Sequence, residues 1–73
     1  MDSMRVRNLR MSFPMSQAEL SARTYLNAGS DGGLTTRTIR RIETAVGGAY
    51  RAEPRTVRVV AGALGVEPEE ILR

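Results

Sequence analysis

Within Leu34–Glu43, Leu-Thr-Thr-Arg-Thr-Ile-Arg-Arg-Ile-Glu, three guanidinium groups stand close to a run of threonines. Wound as a helix over 35–45, the segment separates into two faces. Ile39, Ile42 and Val46 recur at i, i+3 and i+7, a stripe that requires a core behind it. Thr36, Arg37, Arg40, Arg41 and Thr44 fall on the other side, with no acid among them. Thr35 is a good N-cap, because its hydroxyl accepts from a free N–H of the first turn. Arg bonds guanine O6 and N7 in a bidentate fork, and Thr bonds a base edge or touches a thymine methyl. A short helix with an apolar back and an Arg/Thr front therefore suits the DNA major groove. The same pattern also describes a solvated basic face on a bundle helix, and the surroundings decide between the two.

The chain excludes most other chemistry. It has no Cys and no His, and all of its positive side chains are Arg. Disulfides and thiolate metal sites are out, and so are the commonest general base and the commonest zinc ligand. No nucleophile–base pair can be assembled, so an enzyme is not expected, nor a cofactor. The Gly29–Gly33 segment lacks the GxxxxGK[ST] spacing of a phosphate loop. Glu67, Glu69 and Glu70 read as partners of a helix dipole, not as a metal site. Net charge is +3, unevenly spread: residues 1–58 hold ten Arg against five acids, and residues 59–73 one Arg against three Glu. A basic body with an acidic end points to a polyanionic partner for the body. At 73 residues one domain is expected. No apolar run approaches the roughly 18 residues of a membrane span. Arg5, Arg7 and Arg10 are followed by no apolar signal core. A cytoplasmic protein is the expectation.

Met1–Met4 reads as a loose end. Val6, Leu9 and Phe13 mark a short amphipathic helix from Arg5, stopped by Pro14. Ser16-Gln17-Ala18-Glu19 is a capping box, with Met15 and Leu20 placed as a hydrophobic staple. The helix it starts is expected to reach about Leu26 or Asn27. Asn27–Gly33 is a loop by composition. The Arg/Thr helix is expected to end near Ala45–Val46, with Gly47-Gly48 as its C-cap. Ala49–Pro54 is a second loop. Val57, Val60, Ala61 and Leu64 mark a helix ended by Gly65, on which Val66 folds back. Pro68 opens a last short helix, with Glu69 and Glu70 in its first turn. Met4, Met11 and Met15 read as gap-fillers. The fold class is all-α, five compact helices.

This order of elements resembles the Xre family, the helix-turn-helix domains of phage Cro and repressor proteins and many bacterial regulators. Arg5–Leu20, Leu34–Glu43 and Val57–Leu72 carry the resemblance, which spans nearly the whole chain. It implies a lambda-repressor-like domain that binds double-stranded DNA and regulates transcription, as a repressor by expectation. It also implies roles for residues. Thr36, Arg37 and Arg41 match positions that meet base edges. Gln17 and Thr35 match phosphate-contacting positions, and Arg55 one that approaches the backbone or minor groove; Arg40 joins this backbone set. Arg10 and Glu43 match a family ion pair between the first helix and the end of the third. The chain departs from the pattern between Leu20 and Thr35, where the connection is roughly eight residues longer than a helix-turn-helix turn. Tyr25 stands where the turn glycine is expected, and Ser21 and Thr24 replace small or apolar residues. The alternative function is a protein-interaction module, an antitoxin-like or adaptor subunit on the same helical fold. A homodimer on DNA is expected in the first case, with Ile71 and Leu72 of the acidic last helix as its contact.

Overall fold

The structure is a computed structural model that describes residues 1–72, Ser30 by its backbone alone. Five α-helices and one 3-10 turn make up the described chain: α1 Ser3–Ser12, α2 Gln17–Gly32, α3 Thr36–Glu43, the 3-10 turn Val46–Gly48, α4 Pro54–Leu64 and α5 Glu69–Leu72. The protein is a small all-α domain, and among the described residues no helix is long and apolar enough to cross a membrane.

Each helix puts at least one apolar side chain into a single core. Val6 comes from α1, Leu20 from α2, Ile39 and Ile42 from α3, Val57, Val60, Ala61, Ala63 and Leu64 from α4, and Ile71 from α5. Full burial of a Val, Leu or Ile side chain is worth about 1.5–3 kcal/mol, so these residues dominate the stability of a domain this small. The most extensive helix packing is between α2 and α4; α3 sits between α2 and α1, and α5 closes the core against α1 and α4. Glycine ends α4: Gly65 takes φ 73°, and the Val66 N–H bonds the Ala61 carbonyl at 3.0 Å. That left-handed residue is the one a helix stop needs at this position.

Several sequence expectations change. Met1–Met4 is not loose. Asp2 caps α1 by accepting from the Met4 and Arg5 N–H groups, and its own N–H bonds the Ile71 carbonyl at 2.7 Å. Met1 exchanges bonds with Tyr50, and Asp2 bridges Ala49 in antiparallel fashion. The N-terminus thus ties the second loop to α5, a pairing no local pattern announces. Phe13, Met4 and Met11 are about half exposed, not buried. The helix α3 stops at Glu43 with Thr44 as C-cap, so Val46 leaves the apolar stripe and is fully exposed. Gly47 and Gly48, at φ 82° and 76°, belong to the turn after the helix rather than to its cap. Ile71 is fully buried, which removes it from any outward contact and leaves Leu72.

Candidate nucleic-acid interface

The helix α3 is short, amphipathic and held at both ends. Thr35 caps it, its hydroxyl accepting the Thr38 N–H at 3.2 Å. Ile39, Ile42 and Glu43 are its buried residues. At 3.6 residues per turn the direction opposite these three falls on Arg37, Arg41 and Thr44, flanked by Arg40. All four are exposed, while Thr36 and Thr38 are half-buried at the margin. Thr44 is not free to rotate, since its hydroxyl donates to the Arg40 carbonyl at 2.8 Å.

Glu43 is the one acid on α3, and it faces inward. Arg10 Nε donates to its Oε2 at 2.6 Å and Arg10 Nη2 to its Oε1 at 2.9 Å, a bidentate pair. The third guanidinium nitrogen donates to the Met15 carbonyl at 2.8 Å. Only 12% of the Arg10 side chain and 2% of the Glu43 side chain reach solvent. The hydrogen bond to Glu43 holds the Arg10 pKa above its ordinary value. This is the single ion pair among the described residues. Because Arg10 neutralises Glu43, nothing on α3 offsets the outward charge of Arg37, Arg40 and Arg41.

Gln17 joins the same cluster. The capping box is complete, Ser16 accepting from the Glu19 N–H and Glu19 from the Ser16 N–H. Donation from the Ser16 N–H, helped by the Ser16 hydroxyl, holds the exposed Glu19 carboxyl below its ordinary pKa. Gln17, first residue of α2, turns its Nε2 inward to Glu43 Oε1 at 3.2 Å. Its second amide hydrogen and the free N–H groups of the first turn remain as donors. The structure thus sets Gln17 at the C-terminal end of α3 and Arg55 near the other end. A Cβ built on Gly32 would lie 3.9 Å from Arg55 Nη2, which seats that guanidinium beside the α2–α3 connection.

The connection itself is where sequence reading missed most. The helix α2 continues past Asn27 to Ala28 and breaks at Gly29, whose φ of 75° reverses the chain. The chain then doubles back along one face of α2, the face that carries Ser21, Thr24, Tyr25 and Ala28 at helical spacing. A Cβ at Gly32 would collide with Ala28, and one at Gly33 would fall inside the Tyr25 ring. Leu34 arrives opposite the two hydroxyls. Ser21 Oγ donates to its carbonyl at 2.6 Å, and its N–H bonds Thr24 Oγ1 at 2.8 Å. Thr24 Oγ1 spends its own proton on the Ser21 carbonyl at 2.6 Å. The signal was present as two hydroxyl residues on an otherwise apolar helix face; their partner lay ten and thirteen residues away.

Two grooves adjoin these elements. One, of about 310 Å³, runs between Thr38, the Tyr50–Glu53 loop and Thr56. The other, about 330 Å³ and apolar, lies between α4 and α5 and is lined by Pro54, Val57, Arg58, Pro68 and Leu72. Among the described residues no group of acids is placed to hold a metal ion. Comparison with family models, with curated proteins and with solved structures finds no match.

Proposed function

We propose that this chain is a helix-turn-helix domain of Xre type that binds double-stranded DNA in a sequence-specific way and regulates transcription. In this reading α3 enters the major groove. Arg37 and Arg41 meet base edges, with Thr36 at the margin. Gln17, Thr35, Arg40 and Arg55 hold the sugar-phosphate backbone. The observation that carries the reading is the outward face of α3: three exposed guanidinium groups with no ion-pair partner among the described residues, on a helix whose only acid is buried against Arg10. Unpaired guanidinium groups at one surface favour a polyanion, and a helix of two turns with an apolar back is the shape a major groove admits. A homodimer belongs to the proposal, since two half-sites about one helical turn apart multiply the few base contacts of one small domain.

Selection from random duplex DNA, followed by a salt titration of the winner, tests this. The expected result is a preferred site and a log K that falls linearly with log salt. Equal, weak binding to every duplex would overturn it. The apolar groove between α4 and α5, with Leu72 55% exposed beside it, favours a second reading, a protein-interaction module of antitoxin-like or adaptor kind. That reading is separated by the same experiment, because such a module shows little salt-dependent affinity for DNA.

A further inference from the structure

We infer that Ser21 and Thr24 are positioning residues for α3, holding the direction in which Arg37 is presented; the inference rests on the DNA-reading proposal above. The first turn of α3 contains no fully buried side chain, and Ile39 is the first to reach the core. What lies ahead of that turn is a connection with glycines at 29, 32 and 33. Glycine has more backbone freedom to lose than any other residue, so such a segment does not by itself fix where α3 begins. The start of α3 is therefore located by Leu34, the residue directly before the Thr35 cap. Leu34 has both backbone polar groups taken by α2, the carbonyl by Ser21 and the N–H by Thr24, while Tyr25 lies against Gly33. Thr24 is fully buried and Ser21 nearly so, so water does not replace either bond when it is lost. A long connection can thus deliver α3 in one orientation: its surplus length goes into extra turns of α2 and the returning Gly29–Gly33 segment, and the hydroxyls fix the point of entry. The other end of α3 is fixed separately by Ile42 and the Arg10–Glu43 pair, so loss of the hydroxyls lets the first turn swing while the domain stays folded.

Thr24→Val, Thr24→Ser and Ser21→Ala in the full chain test this by two readouts. The first is hydrogen exchange at the Thr38 and Ile39 amides, which bond Thr35 and not Thr24, compared with amides of Val60 and Leu64. The second is the ratio of affinities for the selected duplex and a scrambled one. Val keeps the shape of Thr but leaves the Leu34 N–H unpartnered, a loss worth about tenfold. Thr24→Val is expected to speed exchange at Thr38 and Ile39 about tenfold with core amides unchanged, and to lower the affinity ratio by a similar factor. Affinity for the scrambled duplex and its salt slope stay as they were, since charge alone sets them. Thr24→Ser keeps both bonds and restores both readouts. Thr24→Val with the wild-type ratio and wild-type exchange, or Thr24→Ser behaving like Thr24→Val, would overturn the inference. If Thr24→Val does not fold, Ser21→Ala, which leaves the Thr24 bonds in place, carries the same test with a smaller expected change. If the wild-type chain prefers no duplex, the DNA reading fails by itself, and exchange at Thr38 and Ile39 decides whether the hydroxyls position α3.

Discussion

The two ends of α3 are held by different chemistry. At the C-terminal end a bidentate ion pair, nearly sealed from solvent, joins α3 to α1 and, through Gln17, to α2. At the N-terminal end the hold is neutral and indirect, two hydroxyls of α2 acting on the backbone of Leu34. A buried charge has no cheap alternative to its partner, so the ion pair makes the fold intolerant at that end. A neutral hydrogen bond contributes less net free energy but fixes geometry. The difference teaches that in this domain stability and aim are concentrated at opposite ends of one helix, Arg41 near the first and Arg37 near the second.

The largest effect is expected where the charge is. Arg10→Ala leaves Glu43 buried and unpaired and is expected to cost about 3–5 kcal/mol in urea unfolding, close to the whole stability of a small domain. The double variant Arg10→Met with Glu43→Leu is expected to lie well above Arg10→Ala, since it removes both charges together. A melting curve that hardly moved for Arg10→Ala would break the comparison at its stronger end.

Next come the guanidinium groups that the two ends support. Arg37→Ala and Arg41→Ala are each expected to cost about 1–3 kcal/mol on the selected duplex and to relax its base preference. Arg55→Ala is expected to weaken selected and scrambled duplexes alike and to lower the slope of log K against log salt by about one. Equal losses on both duplexes for Arg37→Ala and Arg41→Ala would mean that α3 supplies charge without reading sequence. The contrast sharpens if Ser21→Ala disturbs the base preference assigned to Arg37 and leaves that of Arg41 as it was.

Gly33→Ala tests the neutral end by crowding instead of deletion. The new methyl group has to displace the Tyr25 ring, which at 40% exposure can swing outward. Overpacking of this kind is expected to cost about 1–2 kcal/mol by chemical denaturation. A stability equal to wild type would show that Tyr25 contributes nothing to seating the returning segment.

The smallest effect concerns pH at the start of α2. Glu19 is held below its ordinary pKa by its bonds with Ser16. A depressed carboxyl pKa stabilises the fold at pH above the unfolded value, and that contribution is lost as pH falls through the folded one. Glu19→Gln is therefore expected to melt slightly below wild type at neutral pH, with the gap closing in acid below the ordinary Glu range. A gap that stayed constant down to strong acid would remove the carboxylate from the capping box.

What could be read without the fold were the features that depend on near neighbours in the chain. The Ser16–Glu19 box, the Thr35 cap and Gly65 at the end of α4 all act within a few residues, so type and spacing are enough to reveal them. The apolar spacing likewise marks Ile39 and Ile42, or Val57, Val60 and Leu64, as one face each. The Arg10–Glu43 pair was legible through resemblance, although its residues stand 33 positions apart. Contacts between distant segments were not legible from local pattern. Asp2 looks like part of a frayed end until Ile71 and Ala49 are beside it. Val46 fits the stripe of α3 by count, yet the helix ends first: Thr44 leaves helical geometry as the C-cap and Ala45 is extended. Gly29–Gly33 reads as open loop, since no local rule says that such a segment will lie back on α2. Composition and period determined that this is an all-α chain with an Arg-rich helix. Tertiary structure alone decided how that helix is aimed, because a hydroxyl on α2 has no preferred partner until the returning chain brings Leu34 to it.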